Sequence, residues 1–130
     1  RRRQQRRSDN IVVDQITNEK ELLSTREAIE AIFLHPDLEA YIVSLVSATR
    51  QDKRVAVGAS PRGSLALLQL SRVQAALAGR NFVLPDDVKA FVLPVLEHRL
   101  ILDPGLWMKR QAAAEIITSI VQQTPVPVLD

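Results

Sequence analysis

The chain has no cysteine, which excludes disulfide bridges and thiolate metal sites. Aromatic residues are only 4% of its 130 residues. So few rings argue against a β-sandwich core and against a platform on which bases could stack. No apolar run approaches the roughly 20 residues of a membrane span, and no segment has the pattern of a signal peptide. The glycine loop with lysine that cradles phosphates, G-x-x-x-x-G-K-[ST], is absent. His35 and His98 lack the i, i+4 spacing of helix-borne zinc ligands, so no metal site is expected and both are taken as surface or structural histidines. Ser60 and Ser64 have no neighbouring His and Asp to activate them. By itself the chain is therefore expected not to be catalytic.

What is present is Leu, Val, Ala and Ile, within a hydrophobic content of 46%. That suits one helical domain spanning residues 1–130 with a real core. Net charge is +2, unevenly spread. Arg1, Arg2, Arg3, Arg6 and Arg7 against Asp9 put +4 on the first ten residues, and the remaining 120 carry −2. The body is not basic, so a nucleic-acid surface would have to rest on the arginine tract alone. The chain opens at Arg1 with no methionine, which leads to the expectation of a piece of something longer, cytoplasmic by default.

Along the chain, Ile11, Val12, Val13 and Ile16 form a short apolar patch read as an extended connector. Ser24 with Glu27 fits a capping box and predicts a helix from Thr25 to Leu34. Pro36 biases His35 out of the α region, and a second helix is predicted from Pro36 or Asp37 to Gln51, with Leu38, Ile42, Leu45 and Thr49 on one stripe. Asp52 to Ser60 is a connector. From Pro61 to about Ala78, Ala66, Leu70, Val73 and Leu77 recur at helical spacing, and Gly79 stands where a helix-terminating glycine belongs. A further helix begins at Pro85 with Asp86 and Asp87 in its first turn, and Val88, Phe91, Val92, Val95 and Leu96 as its buried face. Pro94 is expected to kink or split it near Leu93, leaving a shorter piece through Arg99. Ile101 to Gly105 reads as a turn, and a last amphipathic helix runs from Ala112 to Val121. The whole predicts a small all-α bundle.

One segment, Gly58-Ala59-Ser60-Pro61-Arg62-Gly63-Ser64, carries a chemical signal. Ser60 reads as an N-cap and Pro61 as the first helical residue, so Arg62 falls in the first turn. The helix dipole puts partial positive charge there, and a cation loses up to about 1 kcal/mol unless an anion offsets it. Arg62 is thus a candidate reader of phosphate, although a long guanidinium can also bend away into solvent.

Three motifs in order turn this into a resemblance. Val57 to Leu68 (VGASPRGSLALL), Ala78 to Val88 (AGRNFVLPDDV) and Leu96 to Leu100 (LEHRL) closely resemble the C-terminal lid of MoxR-type AAA+ ATPases, and more loosely the lid of the magnesium-chelatase ATPase subunit. The specific part of the likeness covers Tyr41 to Leu102. The resemblance implies an AAA+ lid fold, with residues 1–18 a basic connector from an α/β ATPase core. It implies that Arg62 is the sensor 2 arginine, aimed at the γ-phosphate of ATP in its own or a neighbouring subunit. Ser60 and Pro61 would aim it, and Gly58 and Gly63 would permit close backbone approach. ATP and magnesium would be held mainly by the core. The parent would form a homo-oligomeric ring, a hexamer, would remodel or activate client complexes in the manner of a chaperone, and would partner with a von Willebrand factor A domain protein. Two positions depart from the family: Leu84 stands where threonine is usual, and Gly63 where alanine is usual. Arg80 and Arg99 are read as helix-end residues bonding exposed carbonyls. The alternative reading is a helical nucleic-acid-binding module that uses the N-terminal arginine tract to neutralise phosphates.

Overall fold

In the computed structural model, residues 13–129 are described. The arginine tract Arg1 to Arg7 and the Ile11–Val12 part of the expected connector lie outside them. Helix α1 spans Glu19–Glu30. It starts before the predicted Thr25 because its N-cap is Asn18, whose side chain accepts from the Glu21 N–H at 3.0 Å, with Glu19 and Glu21 favourably placed in the first turn. Ser24 is therefore an interior residue and the expected capping box is not used. The helix also stops short of Leu34. There the Phe33 N–H donates to the Asn81 carbonyl at 2.9 Å and the Val83 N–H to the Phe33 carbonyl at 3.0 Å, which pulls the chain out straight. Ile32 and Leu34 reach the core from this extended segment.

Helix α2, Pro36–Gln51, has the predicted bounds. The His35 Nδ1 accepts from the Asp37 N–H at 3.2 Å, so this histidine serves as an N-cap. Leu38, Tyr41, Ile42, Leu45, Val46 and Thr49 form its buried face. The connector that follows contains a short strand, β1 (Val55–Val57). Helix α3 is Pro61–Leu77 and α4 is Pro85–Leu96. A single 3-10 turn, Glu97–Arg99, leads to β2, Ile101–Leu102, which pairs antiparallel with β1 through Val55 with Leu102 and Val57 with Ile101. The segment predicted as a turn thus supplies an edge that ties the end of α4 back to the end of α2. Helix α5, Ala112–Gln123, closes the bundle with Ala112, Ile116, Ile117 and Ile120 buried.

Helices α2 and α4 each pack against both α3 and α5, so these four enclose the core, and α1 lies outside against α3. The most extensive contact is between α3 and α4. Its geometry corrects the expected stripe on α3. The buried residues there are Gly63, Leu67, Ser71 and Ala75, one position round from the predicted Ala66, Leu70 and Val73, which are only half-buried. Leu77 is 80% exposed. Three of the four buried residues are small, which lets two helix backbones approach, and Leu67 fills the core between them.

Between α3 and α4 the chain turns through a Schellman motif. Gly79 adopts φ +71°, its N–H donates to the Ala76 carbonyl, and the Arg80 N–H donates to the Ala75 carbonyl, both at 2.9 Å. Pro94 does not split α4, which continues to Leu96. Proline removes a bond to the Ala90 carbonyl, but both Pro94 and Ala90 are exposed, so water can satisfy that oxygen.

Candidate functional site

The site begins at the last turn of α2. Thr49 is fully buried; its hydroxyl donates to the Val46 carbonyl at 2.6 Å and accepts from the Ala59 N–H at 2.9 Å. The neighbouring Arg50 donates from Nη1 to the Ala59 carbonyl at 2.8 Å and from Nη2 to Ser47 Oγ at 3.0 Å. Both backbone polar groups of Ala59 are thus held by two consecutive residues of α2. Losing the Thr49 partner would leave a buried N–H unsatisfied, at about 1–3 kcal/mol.

Gly58 sits directly on α2. A Cβ there would lie 2.6 Å from Arg50 Cγ and 2.7 Å from Arg50 Cα and N. Its lack of a side chain is already required by packing within the domain, whatever else approaches. Gly63 is buried, and a Cβ on it would meet Leu96 Cδ2 at 3.1 Å and Arg99 Cδ at 3.8 Å. It faces α4. Close approach at both glycines is therefore observed between helices and loop of this chain.

Ser60 has the extended N-cap backbone, φ −80° and ψ 168°, but its side chain makes no capping bond. The serine is exposed and marks the start of α3 by conformation alone. Pro61 occupies the first helical position, and the first turn contains no acidic residue. Arg62 is exposed and takes part in none of the ion pairs among the described residues. Arg50, on the Ala59 carbonyl, and Arg99, beside Gly63, add cationic groups to the same end of α3. Such an end favours an anion. Among the described residues, no groups of His, Asp and Glu that could hold a metal ion are brought together.

The other charged candidates are engaged by partners within the chain. Arg99 Nη1 donates to the Val95 carbonyl at 3.0 Å, as a helix-end arginine should. Arg80 bonds the Phe82 carbonyl at 3.0 Å and also engages Asp87 through both terminal nitrogens. Asp87 is buried, which by itself would raise its pKa; the Arg80 guanidinium and the Leu84 N–H outweigh that and hold the carboxyl below the ordinary 3.8. Asp86 is exposed and pairs with Lys89. The two aspartates do not act together.

Thr49 and Arg50 were not recognisable as part of this site from the sequence. Thr49 sits on the buried stripe of α2, and a hydroxyl at 0% exposure among Leu38, Ile42 and Leu45 is the signal that marks it. Nothing local says that its partner is ten residues further on.

The match to known proteins follows the same segments. A family model described as the AAA lid domain matches residues 47–120, which takes in the clamp of Thr49 and Arg50 on Ala59, the Arg62 turn, the α3–α4 pair and most of α5. The chain is 34% identical to Protein MoxR of Methylorubrum extorquens over 111 residues, covering 75% of this chain and 32% of that protein. It is 35% identical to Chaperone MoxR1 of Mycobacterium tuberculosis over 119 residues, covering 85% and 31%. A crystal structure from Cytophaga hutchinsonii, assigned as an ATPase, superposes with a TM-score of 0.79 at 27% identity, over 84% of this chain and 36% of that one. The chain spans about a third of the length of the relatives it matches. With the family match extending over more than half of its residues, and MoxR proteins among its relatives, the chain belongs to the AAA lid domain family and is a lid of the MoxR type.

Proposed function

We propose that the chain is the nucleotide-responsive lid of a MoxR-like AAA+ ATPase and that Arg62 is its sensor 2 arginine. The observation that carries this is the start of α3: an exposed guanidinium in a first turn that has neither a side-chain cap nor an acidic residue. In the assembled enzyme Arg62 approaches the γ-phosphate of ATP. The phosphates and magnesium are held mainly by an α/β core domain of the same protein. As charge develops on the phosphoryl oxygens during hydrolysis, a preplaced guanidinium stabilises it and reports the state of the nucleotide to the lid. Ser60 and Pro61 supply the backbone conformation that aims the side chain.

The same reading places the parent in a hexameric ring that remodels or activates client complexes in the manner of a chaperone, working with a von Willebrand factor A domain protein. The name of the mycobacterial relative, a chaperone, supports that class of activity. Arg62→Ala in the complete ATPase lowers the hydrolysis rate by about tenfold or more while changing ATP affinity far less, since the lost contact acts on developing charge. Unchanged turnover would remove Arg62 from the mechanism.

A further inference from the structure

Thr49 needs only one partner to satisfy its hydroxyl proton, and its own helix provides it through the Val46 carbonyl. The lone pair that accepts the Ala59 N–H does something else: it fixes a loop to α2 immediately before α3 begins. Arg50 repeats this from the other side of the same residue, with its guanidinium on the Ala59 carbonyl. Gly58 removes the remaining freedom, because the loop there rests on the Arg50 backbone with no room for a Cβ. Beyond Ala59 the Ser60 side chain contributes no bond, so the clamp holds the chain entering the first turn of α3 while Gly63 seats that turn against Leu96 of α4. Arg62 is the second residue of that turn.

We infer that Thr49 and Arg50 are positioning residues for Arg62, a role that rests on reading Arg62 as the nucleotide sensor. A guanidinium that must meet a phosphoryl oxygen tolerates little displacement, and a shift of about 1 Å in such a group can cost up to a hundredfold in rate. The clamp sets where α3 starts, and hence where the arginine can reach.

The test uses the complete ATPase that carries this lid, with Thr49→Val, Thr49→Ser, Arg62→Ala and the double variant Thr49→Val with Arg62→Ala. Valine keeps the shape of threonine and removes the hydroxyl. Thr49→Val lowers kcat by about tenfold with little change in the KM for ATP, and Thr49→Ser restores it. In the Arg62→Ala background the Thr49→Val substitution has no further effect, because what it misplaces is already gone. An undiminished effect of Thr49→Val in that background overturns the positioning role and leaves the sensor reading standing, as does failure of serine to restore turnover. Full activity of Arg62→Ala overturns both. Should Thr49→Val not fold, Thr49→Ala makes the same comparison, since it too removes the hydroxyl that accepts the Ala59 N–H and leaves every charge in place.

Discussion

Arg80 and Asp87 face each other across the α3–α4 turn, Nη1 to Oδ2 at 2.8 Å and Nη2 to Oδ1 at 2.7 Å. Asp87 Oδ2 also accepts the Leu84 N–H at 2.8 Å, which is half of a capping box, supplied from the third residue of α4. One buried carboxylate therefore closes the turn and satisfies the start of a helix whose N-cap, Leu84, has no side-chain acceptor.

Asp87→Asn is expected to destabilise the domain by about 1–3 kcal/mol in urea unfolding, because it removes a charge-assisted pair and weakens the bond to Leu84. The effect depends on pH with a definite sign. Folding lowers the Asp87 pKa below 3.8, so its contribution is present above that value and is lost as pH falls through the lower folded value. Asp52, held down first by its hydrogen bonds from Arg54 against a smaller opposing effect of burial, behaves in the same direction. Thermal stability should be level from pH 7 to about 5 and fall below about 4, and the fall should be shallower in Asp87→Asn.

Gly58 and Gly63 predict opposite tolerance. Gly58→Ala places a methyl 2.6–2.7 Å from Arg50, two of the contacts being with backbone, so the loop must move; a loss of about 1–3 kcal/mol follows. Gly63→Ala is tight only against the end of the Leu96 side chain at 3.1 Å, with Ala59 Cβ at 3.6 Å and Arg99 Cδ at 3.8 Å in ordinary contact, and it gains helix propensity, leaving stability within about 1 kcal/mol of the original. Denaturant unfolding of the two variants decides the order.

Leu84→Thr puts a side-chain acceptor at the N-cap of α4, where the resemblance implies a threonine. The backbone there, φ −104° and ψ 158°, already suits an N-cap, and Leu84 at 38% exposed lies outside the buried core, so the burial lost only partly offsets the cap. Stability should rise by up to about 1 kcal/mol, seen as a gain of a few degrees in Tm. No gain would mean that Asp87 has already met the needs of that helix end.

The bounds of α2 and α3, the glycine stop at Gly79 and the buried face of α4 were legible because each rests on local chemistry: proline at a first turn, glycine at a last one, and apolar residues at helical spacing. The helix-end roles of Arg80 and Arg99 were legible for the same reason, though not the commitment of Arg80 to Asp87. The start of α1 was not legible: Ser24 with Glu27 fits a capping box, and only the observed bond from the Glu21 N–H puts the cap at Asn18.

Sequence by itself determined the position of Arg62, in a first turn with no acidic neighbour, because helix caps and dipoles are properties of a few consecutive residues. Tertiary structure decided the rest. It turned the packed face of α3 onto Gly63, Leu67, Ser71 and Ala75, where three small side chains leave room for close packing and Leu67 fills the core. It paired Val57 with Ile101 and joined Thr49 to Ala59, contacts between residues far apart along the chain that no local pattern encodes.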